Sequence, residues 1–142
     1  MVLLILLACD ERETELASGI LITKVDYSGC FSTQNPSLKT TSGLINDSLS
    51  IEGDQYVLYL KADMVYNCCG ALKDSSVIID NNVNIYIYDS CLQDCLCKCL
   101  CLFKFKFSVT GYYGKTTSFK IYLKGYNVKD YSLWKELIYI DK

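Results

Sequence analysis

Nine cysteines in a chain of 142 residues are the side chains with the most chemistry to offer. Cys9 stands apart near the start; the other eight are Cys30, Cys68, Cys69, Cys91, Cys95, Cys97, Cys99 and Cys101. An even set suits a disulfide framework, although eight cysteines allow 105 pairings and spacing alone selects none of them. Cys97, Cys99 and Cys101 alternate with Lys98 and Leu100 and so share one face of a strand. Same-face neighbours on a strand lie about 6.6 Å apart, at the upper limit for a bridge and with parallel Cβ vectors. These three are expected to bond elsewhere, to Cys68, Cys69, Cys91 or Cys95, and so to tie the mouth of the domain. Two other readings stay open. Thiolate clusters bind zinc or copper(I), although structural zinc prefers Cys-x-x-Cys pairs and the chain has none. Cysteines also serve as small buried apolar side chains.

Most other catalytic chemistry is closed to this composition. The absence of histidine removes the Ser-His-Asp and Cys-His nucleophile pairs and the usual base at neutral pH. A net charge of −2 with Arg12 as the sole arginine gives no basic face for nucleic acid. Asp63, Asp80, Asp89 and Asp94 are scattered and read as solvated edge residues, not as a calcium site or a glycosidase pair. The chain is therefore expected to be non-catalytic, with no cofactor and no resident metal. Twelve tyrosines are the remaining resource, and Tyr59, Tyr86, Tyr88 and Tyr122 fall on the wetter faces of their strands. Flat rings there can stack on a sugar or a partner protein, or simply form cross-strand pairs.

The segment Leu3–Cys9 is a short apolar run ending in Ala8-Cys9 and followed by Asp10-Glu11-Arg12-Glu13. It is too short to cross a bilayer, which takes about 20 apolar residues. It has the form of a signal-peptide core and cleavage site. Leu6-Leu7-Ala8-Cys9 resembles the lipobox of bacterial lipoproteins, which implies cleavage before Cys9 and lipid on its thiol. No basic residue precedes Leu3, which is expected if the true start lies upstream of Met1. Residues 1–8 are then a signal-peptide remnant, 9–18 a lipidated flexible tether and 19–142 the folded domain.

The elements that must position these residues read as strands. Gly19–Val25 gives a first strand, and Ser28–Ser50 a long polar connection with room for short edge strands. Gln55–Asn67 puts Tyr56, Leu58, Leu60, Ala62, Met64 and Tyr66 on one face and Lys61 and Asp63 on the other. Ser76–Asp80 and Val83–Tyr88 flank Asn81-Asn82, a pair suited to a two-residue hairpin turn. From Cys97 to Val109 the odd positions are Cys, Cys, Cys, Phe, Phe, Phe and Val, against Lys104, Lys106 and Ser108. A turn at Gly111–Gly114 leads to a strand Ser118–Lys124, and Trp134–Ile140 closes the chain. Asp130–Leu137 has room for one helical turn. Seven to eight strands with one apolar face each predict an all-β fold, an antiparallel β-sandwich of immunoglobulin-like topology.

Cys68-Cys69-Gly70, with Cys97-Lys98-Cys99-Leu100-Cys101-Leu102-Phe103 running into an alternating strand, resembles a group of small uncharacterised lipoproteins of Bacteroidetes. The resemblance spans roughly residues 55–125 and the N-terminal signal. It implies a cysteine-rich β-sandwich held at the outer membrane or cell surface by its lipid, and no particular activity. The expected function is that of a non-catalytic interaction or accessory module with a protein or glycan partner. Alternatives are a glycan-binding surface lipoprotein and a thiol-based metal or redox protein.

Overall fold

A computed structural model describes residues 19–28, 47–54, 56–92, 100–112, 114 and 116–141. The expected signal remnant and tether, the cysteines at 9, 30, 95, 97 and 99, and Asp94 lie outside the described residues. Eight strands are described, and no helix among them: β1 Leu21–Ser28, β2 Ser48–Gly53, β3 Leu58–Asn67, β4 Leu72–Ile79, β5 Asn82–Asp89, β6 Leu100–Thr110, β7 Thr116–Lys124 and β8 Ser132–Ile140. They form two four-stranded sheets in the orders β1-β6-β3-β2 and β4-β5-β7-β8.

Alternation places the core. Leu58, Leu60, Ala62 and Met64 of β3 and Phe103, Phe105, Phe107 and Val109 of β6 are all buried on the inner face of the first sheet. The second sheet answers with Val83, Ile85 and Ile87 of β5 and Phe119 and Ile121 of β7, while Ile20, Leu72 and Tyr112 close the ends. The Phe105 and Phe107 rings lie parallel, 6.2 Å apart. Burial of one such side chain is worth about 1.5–3 kcal/mol, so the two central strands of each sheet carry most of the driving force. The outer edges are joined by polar contacts. Lys24 of β1 pairs with Asp74 of β4 on one side. On the other side Asp47 accepts from the Val65 amide at 2.7 Å and from Trp134 Nε1 at 3.1 Å, and its carbonyl accepts from Lys135 Nζ at 2.8 Å.

Several expectations need correction. The sandwich is not wholly antiparallel, because β5 pairs with β7 in parallel while β6 crosses to the other sheet between them. An immunoglobulin constant domain groups its first, second, fifth and fourth strands against its third, sixth and seventh. The described strand order differs from that connectivity. The hairpin turns on Asp80-Asn81, one residue before the expected pair, with Ile79 facing Asn82 and Asp80 at φ 53°. A short polar side chain tolerates that left-handed geometry. β4 also starts at Leu72, four residues before the expected strand Ser76–Asp80, because Leu72–Ser75 pair with Tyr86–Asp89. The room for a helical turn at Asp130–Leu137 is taken by β8, which pairs with β7 and bulges at Trp134. The long polar connection does hold an edge strand, β2. Gly111 (φ 77°) and Gly114 (φ 63°) make the sheet-crossing turn. A Cβ on Gly111 would lie 1.8 Å from the Gly19 carbonyl oxygen, so no other residue fits there.

Phe105→Ala is expected to cost about 3–5 kcal/mol by opening a cavity at the centre of the core. Thr117→Val should act in the other direction, because the Thr117 hydroxyl is fully buried and, among the described residues, has no hydrogen-bond partner. An apolar group of the same shape removes that desolvation cost, about 1–3 kcal/mol. Urea denaturation of both variants checks the opposite signs; a stabilised Phe105→Ala or an unfolded Thr117→Val would contradict the core described above.

Candidate functional site

Three of the four tyrosines singled out from sequence come together on the outer face of the second sheet. Tyr86 of β5 lies directly beside Tyr122 of β7, because the parallel register pairs them. Their rings stack at 5.1 Å with an interplanar angle of 14°. Tyr131, from the connection before β8, meets Tyr86 edge-on at 5.1 Å and carries the Lys124 ammonium over its ring at 5.2 Å. Tyr88 follows on the same face of β5, between Lys73 of β4 and Lys124 of β7. The result is a half-buried aromatic surface with a lysine on either side of Tyr88. Tyr59 belongs elsewhere, on the outer face of the first sheet, where Lys106 Nζ sits 4.2 Å from its ring centre. Tyr131 was not foreseen because it precedes its strand, where alternation says nothing about direction.

At one end of the sandwich the structure gathers four of the eight domain cysteines. Cys68 and Cys69 follow β3, Cys91 follows β5 and Cys101 is the second residue of β6, with its side chain buried. All four are disulfide-bonded. The expectation that Cys101 shares the face of Phe103 and Phe105 holds, and those of Cys97 and Cys99 fall outside the described residues. Disulfide sulfur is neither a thiolate ligand nor a free thiol, so these four have no metal-binding electron pair of the kind a zinc or copper(I) site requires.

A polar hub holds the same end, and sequence reasoning missed it. Asp89 Oδ1 accepts the Ala71 and Cys91 amides at 3.0 Å each, and Oδ2 accepts the Tyr66 hydroxyl at 3.0 Å. That hydroxyl in turn accepts the Tyr126 amide at 2.8 Å. One carboxylate therefore ties the start of β4 to the end of β5, and through Tyr66 reaches the connection from β7 to β8. Far from being a solvated edge residue, Asp89 replaces backbone partners that the strand ends lack. Gly70 belongs to the same design, since a Cβ there would lie 2.6 Å from the Tyr66 ring. Of the other acids, Asp80 forms the hairpin turn and Asp63 lies on the outer face of the first sheet. Asp54 caps its own turn by accepting the Tyr56 and Val57 amides, and these hold its carboxyl below the usual range. Among the described residues no group of three or more potential ligands converges on a metal position.

No protein-family model, curated protein or solved structure matches the chain.

Burial raises the Tyr66 hydroxyl above the ordinary tyrosine value, partly offset by the Tyr126 amide, with the hydrogen bond to Asp89 adding to the rise. A raised folded-state value means that this phenol supports stability fully below about pH 10, where free tyrosine ionises. The support is lost as pH climbs through the higher folded value. Tyr66→Phe should cost about 1–3 kcal/mol near neutrality by orphaning its partners. It should also flatten the fall in melting midpoint above pH 10, and an unchanged alkaline slope would remove Tyr66 from that role. For the cysteines, non-reducing peptide mapping should find a bond joining Cys68 or Cys69 to the segment 91–101, and none among Cys97, Cys99 and Cys101. Reduction should lower the midpoint by many degrees, because several bonds of ~2–4 kcal/mol rival the ~5–15 kcal/mol that holds a typical domain. A full set of free thiols, or a midpoint indifferent to reductant, would contradict this.

Proposed function

We propose that the protein is a lipid-anchored, non-catalytic interaction module of the cell envelope, and that it engages its partner through the outer face of the second sheet. The observation that carries the reading is the Tyr86, Tyr122 and Tyr131 cluster with Tyr88 beside it. Aromatic side chains mounted on paired strands lose little freedom on contact, and each offers a large apolar surface with a polar tip. Lys73 and Lys124 border the cluster in the strand register, so a partner with acidic or hydroxyl groups around an apolar centre suits it. Attachment to the membrane, at the outer membrane or cell surface, rests on the lipobox-like Leu6–Cys9. The acyl chains would contribute about 0.8 kcal/mol per buried methylene.

A glycan partner is favoured by one further feature, the near-parallel Tyr86 and Tyr122 rings on an open face, against which the apolar side of a sugar can lie. The thiol-based metal or redox alternative loses support from the four bonded cysteines.

In cells expressing the native gene, labelling with a fatty-acid probe and membrane fractionation should show wild type labelled and membrane-bound, and Cys9→Ala unlabelled and released. An unlabelled wild type, or a mutant still labelled, would remove the anchor from the proposal. On an array of neutral glycans, Tyr86→Ala with Tyr122→Ala should lose at least tenfold in any signal the full chain gives. Retained binding in that double variant would move the binding surface elsewhere.

A further inference from the structure

The outer face of the first sheet carries a different chemistry, independent of the tyrosine cluster and of the anchor. A hollow of about 270 Å³ lies there, lined by Asp26, Lys61, Asp63, Lys104 and Lys106 over the Phe105 backbone. The strand register explains why these residues meet. Lys61 of β3 stands directly opposite Lys106 of β6, Asp63 opposite Lys104, and Asp26 of β1 opposite Lys106 on its other side. Asp26 reaches that row because β1 bulges at Val25: Lys24 is opposite Phe107 but Asp26 is opposite Lys106, which turns the rest of the strand over.

Two like charges directly opposite each other on neighbouring strands are destabilising, so a lysine pair here works against the fold by itself. The flanking groups restrain two of the three ammoniums. Glu52 of β2 pairs with Lys61, whose hydrogen bond holds the Glu52 carboxyl below its usual range. The Tyr59 ring holds Lys106. Lys104 is exposed and, among the described residues, has no carboxylate within ion-pair distance. Asp26 and Asp63 likewise close no ion pair among the described residues, although lysines stand opposite both. The hollow thus presents ammonium donors and carboxylate acceptors side by side, with one cation and two anions uncommitted among the described residues.

We propose that this hollow binds a single unit of an acidic saccharide, its carboxylate held by Lys104 between Lys61 and Lys106 and its hydroxyl groups donating to Asp63 and Asp26. The mixed sign selects this class. A phosphate dianion would meet two carboxylates within the same space, and a metal cation would meet three ammoniums. A monoanion that carries its own hydroxyl donors satisfies both sets. The volume fits one sugar ring better than a drug-sized molecule, for which pockets run to about 300–1,000 Å³. Binding at so open a site is weak and depends on salt.

The test is a titration of the full-length, isotope-labelled chain in neutral detergent micelles at low salt, followed by amide shifts. Digalacturonate is the probe, with a neutral galactose disaccharide and inorganic sulfate as parallel arms. Digalacturonate should shift amides of residues 61, 63, 104 and 106, and the neutral disaccharide should not. Lys104→Gln should weaken digalacturonate at least tenfold. Asp63→Asn should weaken digalacturonate while leaving sulfate unchanged or tighter. Both positions lie on the outer face of the first sheet, so unchanged shifts for the Ile85, Phe119 and Ile121 amides in the core of the second sheet will certify the fold. Equal binding of the neutral sugar, an indifferent Lys104→Gln, or sulfate as the sole ligand would each overturn the proposal. Shifts confined to the Tyr86 and Tyr122 face would overturn it as well, while supporting that face as the glycan surface.

Discussion

The pairing of β3 with β6 is the constraint on which the rest of the molecule depends. All ten residues of β3 find partners on β6, from Leu58 with Val109 to Asn67 with Leu100. Because side chains alternate, a slip of one residue would turn Phe103, Phe105 and Phe107 to solvent and bring Lys104 and Lys106 into the core. The cost of that exchange fixes the register, and the register then decides everything on the outer face of that sheet. It sets Lys61 against Lys106, and it brings Cys101 opposite Tyr66 near the end of β3. Core packing thereby determines surface chemistry at positions that contribute nothing to the core.

The two long strands were legible in the sequence because each obeys one rule without interruption. Leu58 to Met64 and Cys101 to Val109 alternate cleanly, and a period of two is a direct image of the pleat. Legibility failed where a residue answers to a partner far along the chain. Nothing near Asp89 announces that Tyr66, Ala71 and Cys91 will all donate to it. The hairpin was found but misplaced by one residue, since Asp80, Asn81 and Asn82 all suit a turn and only the pairing of Ile79 with Asn82 chooses among them. The start of β4 was lost because Lys73, Asp74 and Ser75 look like loop until Tyr86–Tyr88 are placed beside them. The bulges at Val25 and Trp134 left no local mark.

The candidate surfaces divide in the same way. Tyr86, Tyr88 and Tyr122 could be assigned to the solvent side from alternation, but their union with Tyr131 required the parallel register of β5 and β7. Alternation also gave Tyr59 the right exposure, while the strand order put it on the opposite side of the molecule. Local pattern thus specifies the face of a strand, and topology specifies which faces become neighbours. Chemistry that needs two strands is written only in the second.

The parallel β5 and β7 pair carries a consequence for how the chain reaches this state. Those strands are adjacent in space, yet between them the chain leaves for the other sheet, completes β6 between β1 and β3, and returns through Gly111 and Gly114. Neither sheet can be finished from one continuous stretch of sequence. The second sheet waits for β7, and β7 arrives only after β6 has been made; the first waits for β6 to join strands that were synthesised long before it. Contacts this distant along the chain delay the gain in free energy until most of the ordering entropy has been spent. The domain is therefore built to form late and all at once, with no autonomous half to persist if the other is missing.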